Sequence, residues 1–265
     1  MDMNNPLRPM AHPVRTAGIG IAGILVVTIF GLVVARSLGW TELELPVLQG
    51  LSRAHSPVAD AVALAINALF SPPVAIVISV LGGAVTFIRT ASLVRAGVFL
   101  LVVAGAWGSS DIVKYVVHRP RADVRALAHP LIFESSYSYP SGHTCFVAAF
   151  AIAIVITCRA NRWRTVAGAG GAVAVVVVAF SRVYLGVHYP ADVTAAVVFS
   201  LSAAAILAPL AFNVIVPWLR RRLPGPSGRS SLFWGTSYSV HTAVDERGRR
   251  VERDEAAPAA DRRRH

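Results

Sequence analysis

The sequence predicts an all-α integral membrane protein, a bundle of six spanning helices. Of its 265 residues, 55% are hydrophobic and only 15% are charged, and the mean hydropathy is +0.58. A soluble domain carries about 25% charged residues. The charges are also segregated, because apolar runs of about 20 residues alternate with short arginine clusters. Runs of this length and composition are typical of helices that cross a bilayer.

Each of six apolar runs is assigned to one span. The first follows a polar, basic segment and is predicted to be a retained signal-anchor helix. Pro72 and Pro73 interrupt the second run, so we place that span after them. The mixed segment 42–56 is predicted to be a loop with a short interfacial helix. The predicted spans are residues 16–35, 72–88, 93–113, 141–158, 165–184 and 191–216.

The chain divides into three predicted segments. Residues 1–15 form a short N-terminal segment, and residues 16–216 form the six-span domain. From Pro217 the composition changes to arginine, acidic residues, proline, glycine and serine with little periodicity. Such composition is typical of disorder, so residues 217–265 are predicted to be a disordered basic tail.

Arginine placement predicts the orientation of the spans. Clusters within residues 8–15, 89–95, 159–164 and 220–222 fall on one side of the six-span arrangement. The positive-inside rule makes that side cytoplasmic, so both termini are predicted to be cytoplasmic in a cell membrane. Topology and lipid headgroups explain the net charge of +11. Without a recognised binding motif, nucleic acid is not expected as a partner.

The polar segment after the third span contains the first chemical motif. Lys114 is the only lysine beside 24 arginines, which suggests a place that needs a compact ammonium group. Arg121 follows seven residues later and would share a helix face with Lys114 if the third helix continued. Pro120 disfavours helix at Arg119, however. Taken alone, this segment also fits a basic cluster that binds lipid headgroups.

The second motif is Pro140-Ser141-Gly142-His143, directly before the fourth apolar run. Proline and serine favour helix starts, and glycine lets an anion approach the backbone. The helix N-terminus would hold phosphate oxygens, with His143 in the first turn facing them. The alternative is a plain capped helix with an interfacial histidine.

The third motif joins the fifth and sixth spans. Arg182 lies near the end of the fifth span, His188 lies in the short turn, and Pro190 suits the first position of the next helix. Asp192 then falls in the first turn, where it could fix the tautomer of His188. The alternative is an interfacial ion pair between Arg182 and Asp192. Ionisable groups at such depth are costly and usually functional.

Together these motifs resemble the type 2 phosphatidic acid phosphatase superfamily, which includes lipid phosphate phosphatases and shares its active site with vanadium haloperoxidases. The family pattern is K-x6-RP, then PSGH, then SR-x5-H-x3-D, and this chain matches all three in order over residues 114–192. It departs once, with Ala122 at the expected proline. An Arg119-Pro120 pair stands two residues earlier, but the spacing favours Arg121.

The resemblance implies a role for each matched residue. His188 would attack phosphorus to form a phosphohistidine, and Asp192 would orient it. His143 would protonate the leaving oxygen and then activate water. The other matched residues would hold the phosphate oxygens; these are Lys114, Arg121, Ser141, Gly142 and Arg182. No metal or other cofactor is implied, because protein cations take the place of the metal.

The function expected from this resemblance is hydrolysis of a lipid phosphate or diphosphate at the non-cytoplasmic face, where the three motifs meet. Candidate substrates are polyprenyl diphosphates such as undecaprenyl diphosphate, phosphatidylglycerol phosphate and phosphatidic acid. A phosphotransferase with the same intermediate stays open, since only the acceptor differs. A non-enzymatic transporter or scaffold also stays open, although it gives no reason for two histidines and three cations on one face. Six apolar spans without a soluble domain disfavour a haloperoxidase.

Overall fold

The computed structural model describes residues 9–158, 161–222, 242–244 and 250–252. Its helices are α1 Pro13–Arg36, α2 Leu38–Arg53, α3 Pro57–Leu69, α4 Pro72–Thr90, α5 Leu93–Val117, α6 Gly142–Thr157, α7 Asn161–Tyr184, α8 Pro190–Pro209 and α9 Val216–Arg222. A 3₁₀ turn, Val124–Ala126, lies between α5 and α6, and the π-helical segment Leu210–Ile215 joins α8 to α9. Strands β1 Thr242–Val244 and β2 Arg250–Glu252 form an antiparallel pair. The all-α prediction for the membrane domain is confirmed.

Within the described residues, five continuous helical stretches are long and apolar enough to cross a membrane, namely α1, α4, α5, α7 and α8 through α9. Helix α6 is shorter, with 16 residues. All six predicted spans are helical, and the chain is a multi-pass membrane protein. The helix count nevertheless differs from six, because α2 and α3 are separate helices between α1 and α4. The prediction of disorder from residue 217 is wrong for residues 217–222, which belong to α9. After Arg222, only β1 and β2 of the predicted tail lie within the described residues.

Serine and proline residues explain where several helices begin. Ser37, Ser56 and Ser92 precede α2, α3 and α5, and each hydroxyl oxygen accepts a backbone N–H three residues later. These contacts satisfy first-turn donors that have no partner inside the helix. Proline opens α1, α3, α4 and α8, where its missing N–H costs nothing. Pro72 and Pro73 therefore start the second span.

Helix α6 lies at the centre of the bundle and packs against α5, α7 and α8. Its Phe146 and the Phe99 side chain of α5 belong to one buried apolar cluster. Helix α1 packs closely on α8: a Cβ added at Gly20 would lie only 2.5 Å from the carbonyl oxygen of Ser202. Small residues permit such approach between membrane helices. This packing gathers one end of α5, α6, α7 and α8 around a common site.

Two backbone features shape that end of the bundle. His118 takes up a left-handed conformation with φ 55°, and its N–H donates to the Lys114 carbonyl at 3.1 Å. Helix α5 therefore ends before Arg119, because a residue before proline avoids the helical region. The conditional prediction that Lys114 and Arg121 share one helix face is wrong. In the α7–α8 turn, Gly186 has φ 70°, a conformation that glycine adopts without strain.

Candidate active site

Asp192 is the buried carboxylate in the first turn of α8. Its Oδ2 accepts the backbone N–H of Tyr189 at 2.9 Å and the hydroxyl hydrogen of Ser138. The same oxygen lies 3.5 Å from Nδ1 of His188. His188 is itself buried in the turn that precedes α8. The carboxylate therefore faces Nδ1 of the imidazole ring, and Nε2 points away from the carboxylate.

Arg119 lies behind Asp192. One of its terminal nitrogens donates to Asp192 Oδ1 at 2.7 Å, and the other donates to Glu44 Oε2 at 2.6 Å. Glu44 comes from α2, and its second oxygen accepts the backbone N–H of Ala191 at 2.6 Å. Although burial opposes its charge, the carboxylates of Asp192 and Glu44 raise the pKa of Arg119. Arg119 thus neutralises the Asp192 carboxylate.

Arg121, the arginine favoured by the motif spacing, points toward the Nε2 side of His188. Its Nε donates to the Ser136 carbonyl at 2.8 Å, and its Nη1 lies 3.1 Å from His188 Nε2. Its Nη2 lies 2.6 Å from one carboxylate oxygen of Glu134. The other Glu134 oxygen contacts Nη2 of Arg182, at the end of α7. Glu134 therefore bridges the two arginines.

The charges around His188 fix its protonation state. Burial, together with the nearby Arg121 and Arg182 cations, lowers the pKa of His188 well below its ordinary value. A guanidinium can only donate, so its contact with Nε2 requires a lone pair on that nitrogen. His188 is therefore neutral, with its proton on Nδ1 facing Asp192. Burial works against ionisation of Glu134, but Arg182 and Arg121 outweigh it and lower the pKa of that carboxyl.

A cavity of about 470 Å³ opens among these groups, and five of its lining residues belong to the three motifs: Lys114, Arg121, Gly142, His143 and His188. Gly142 is the first residue of α6, with Lys114 beside it: a Cβ added at Gly142 would lie 3.8 Å from Lys114 Nζ. The first-turn N–H groups of a helix lack intrahelical acceptors and carry the positive end of its dipole. This cavity suits a multiply charged anion.

Two predicted phosphate ligands lie outside the lining. Ser141 precedes α6 and is fully buried, and its hydroxyl oxygen accepts from the Thr144 hydroxyl at 3.2 Å. Arg182 is also fully buried and reaches the site through its contact with Glu134. The predicted site residues therefore lie together at one end of the bundle. Some of them line the cavity, and the others lie directly behind its lining.

Several residues at the site lie outside the sequence motifs, and three of them contact the charged or histidine side chains from a distance in sequence. Asn67, at the end of α3, accepts from Arg182 through its side-chain oxygen at 2.5 Å. Its backbone oxygen lies 3.3 Å from His143 Nε2. Glu44 and Glu134 are the other two. Spacing could not have identified them, because they meet the motif residues only through tertiary packing.

The described residues contain no group of three histidine, cysteine, aspartate or glutamate side chains that could hold a metal ion. Three acidic groups of the site are paired with arginine, while a fourth, Asp111, also lines the cavity. Asp192 and Glu44 contact Arg119, and Glu134 contacts Arg121 and Arg182. The cationic groups of the protein are therefore the ones placed to meet an anionic ligand.

Comparison with known proteins gives matches in sequence and in fold. The family model of the PAP2 superfamily matches residues 95–215. An undecaprenyl-diphosphatase of Sulfolobus acidocaldarius is 41% identical over 61 residues, which are 23% of this chain and 27% of that protein. The chain thus matches about a quarter of that relative's length.

A solved structure extends the likeness to the fold. It is a transmembrane PAP2-type phosphatidylglycerolphosphate phosphatase from Bacillus subtilis, with a TM-score of 0.58 and 23% sequence identity. The match covers 77% of this chain and 97% of the other. At this identity the likeness shows a shared fold. The PAP2 superfamily model thus matches the part of the chain that contains all three motifs, which confirms the resemblance inferred from them.

Proposed function

We propose that this protein is a membrane phosphatase that hydrolyses a lipid phosphate or diphosphate through a phosphohistidine on His188. One observation supports this most strongly. A neutral His188 faces Asp192 with one nitrogen, and its other nitrogen faces Arg121 at the cavity. A nucleophilic histidine needs such a lone pair next to groups that bind the phosphoryl oxygens.

In the first step, the lone pair of His188 Nε2 attacks phosphorus and forms a P–N bond. The bond from phosphorus to the leaving oxygen breaks, and His143 donates a proton to that oxygen. Asp192 stabilises the positive charge that develops on the imidazole ring. The cavity cations and the α6 N-terminus hold the remaining phosphoryl oxygens.

In the second step, His143 accepts a proton from water while the water oxygen attacks phosphorus. The P–N bond breaks, inorganic phosphate forms, and neutral His188 is regenerated. Transition-state charge sits on the phosphoryl oxygens, and Lys114, Arg121 and Arg182 are proposed to stabilise it. This scheme uses three protein cations where many phosphoryl-transfer enzymes use magnesium, and it needs no metal.

The substrate is proposed to be an amphiphile whose phosphate lies at the membrane surface. The names of the two relatives point to undecaprenyl diphosphate and phosphatidylglycerol phosphate, and phosphatidic acid has the same chemical form. The cavity lies at the end of four apolar helices, which suits a phosphate carried on a lipid. We propose that this end faces the non-cytoplasmic side.

The test is phosphate release by detergent-purified protein from a polyprenyl diphosphate, phosphatidylglycerol phosphate and phosphatidic acid, with EDTA present. We expect release from at least one of them and inhibition by vanadate, which mimics phosphorus under attack. Activity that disappears with EDTA and returns with magnesium would contradict the proposed chemistry. Appearance of a phosphorylated acceptor in place of free phosphate would make the protein a transferase.

A further inference from the structure

The Glu134 carboxylate occupies the space between the two arginines that are proposed to bind phosphate. One of its oxygens contacts Arg121 and the other contacts Arg182. Its side chain is 25% exposed, whereas those of Arg121 and Arg182 are 9% and 0% exposed. A carboxylate bridging two guanidinium groups takes the position that two phosphate oxygens would take.

Each of the two arginines also has a hydrogen-bond partner other than Glu134. The carbonyl and hydroxyl oxygens of Ser136 also accept hydrogen bonds from Arg121, and so does the carbonyl oxygen of Val187. Arg182 also donates to the side-chain oxygen of Asn67. Both guanidinium groups therefore keep partners when the carboxylate withdraws toward solvent. The contact fits a ligand that can be exchanged better than it fits a fixed support.

An empty pair of buried arginines would attract any nearby anion, because unpaired buried charge is costly. At a membrane surface the abundant anion is the phosphodiester headgroup, which carries one negative charge. Exchanging one carboxylate for one phosphodiester gains no charge. A tethered carboxylate also has a high effective concentration. A phosphomonoester carries about −1.5 to −2 charges and three acceptor oxygens, so it can displace the carboxylate.

We propose that Glu134 is a specificity-determining residue, whose carboxylate keeps phosphodiester headgroups out of the phosphate site and yields to phosphomonoesters and diphosphates. This inference rests on the proposed function of the same site. Glu134 lies within the domain but outside the three motifs. The enzyme would thereby distinguish a terminal lipid phosphate from the bulk phospholipids around it.

Glu134→Gln tests the proposal, because it keeps the size of the side chain and removes its charge. Asp123→Asn is the matched control in the same loop, where Asp123 is exposed and accepts the backbone N–H of Arg125 at 2.9 Å. The first measurement is inhibition of phosphatidic acid hydrolysis by phosphatidylglycerol in mixed micelles. The second is the affinity for inorganic phosphate, from thermal unfolding in detergent, which needs no turnover.

We expect Glu134→Gln to be inhibited by phosphatidylglycerol at about tenfold lower mole fraction than wild type, and to bind phosphate about tenfold more tightly. Asp123→Asn should behave as wild type. Glu134→Asp, which keeps the charge, should retain resistance to phosphatidylglycerol. Unchanged inhibition and phosphate affinity in Glu134→Gln would overturn the proposal. Weaker phosphate binding with a lower kcat would also overturn it, because Glu134 would then support the site.

The two measurements separate this inference from the proposed function. If no variant hydrolyses any lipid phosphate but Glu134→Gln gains phosphate affinity, the phosphatase proposal fails and anion exclusion by Glu134 is supported. If wild type and Glu134→Gln both hydrolyse the lipid with the same sensitivity to phosphatidylglycerol and phosphate, only this inference fails.

Discussion

At the scale of single residues, His188 and Asp192 each lie beside a charged partner. His188 lies between Asp192 and Arg121, and Asp192 is neutralised by Arg119. The sequence motifs identified the members of this arrangement. They could not choose between Arg119 and Arg121 by chemistry, because both lie next to Pro120. The structure separates them: Arg119 turns to Asp192, and Arg121 lines the cavity.

Lys114 gives a residue-scale prediction. It is the only lysine of the chain, and its ammonium group lies beside Gly142 at the start of α6. We expect Lys114→Arg to lower kcat/KM by about tenfold or more despite the kept charge, because a guanidinium is larger and donates in a fixed plane. The measurement is steady-state phosphate release from a lipid phosphate.

The reciprocal exchange Arg125→Lys is the control. Arg125 is exposed in the loop between α5 and α6 and does not line the cavity. This variant should keep wild-type kinetics. Near-normal turnover of Lys114→Arg would mean that the site does not distinguish an ammonium from a guanidinium group.

At the scale of elements, the apolar runs of the sequence located all six predicted spans, including α6, which has only 16 residues. They placed only a short interfacial helix where the structure has α2 and α3. Both helices are short, and α2 mixes polar with apolar residues, so neither gives a clear span signal. Yet they bring Glu44 and Asn67 to the site. Sequence could not show this, because both contacts depend on how the helices pack.

Glu44 gives a prediction at this scale. It joins α2 to the backbone of α8 and to Arg119, which in turn contacts Asp192. We expect Glu44→Gln to lower kcat by about tenfold, with a smaller change in KM, because outer partners orient a reacting group without touching substrate. The measurement is a full kinetic curve for each variant.

Glu42→Gln is the matched control, since Glu42 is exposed on the same helix. It should have wild-type kcat and KM. An equal loss in both variants would mean that α2 acts through its overall charge. No loss in Glu44→Gln would remove α2 from the catalytic arrangement.

At the scale of the whole molecule, the spans alternate so that the three motifs share one end of the bundle. The starts of α6 and α8 and the ends of α5 and α7 meet there. The arginine clusters that predict the orientation lie at the opposite end of the bundle. Within the described residues, Arg89, Arg162 and Arg220 represent them. Sequence predicted this arrangement because hydropathy fixes the spans and their order fixes the sides.

Orientation across the membrane gives the prediction for the whole molecule. Ala128 is exposed in the loop between α5 and α6, at the end of the bundle that holds the cavity. A cysteine placed there, in a chain lacking Cys145 and Cys158, should react with an impermeant maleimide in intact cells. The positive-inside rule is the reason, because the opposite end carries the arginine clusters. Labelling only after lysis would place the site in the cytoplasm.

The central claim is that His188 carries the phosphoryl group, and trapping that intermediate tests it most directly. In His143→Ala, an activated ester such as p-nitrophenyl phosphate needs no proton donor for the first step, whereas the second step lacks its base. Incubation with labelled ester and a denaturing alkaline quench should leave phosphate on His188 in this variant, and none in His143→Ala combined with His188→Ala. Equal labelling of both proteins, or phosphate release undiminished by His188→Ala alone, would contradict the account.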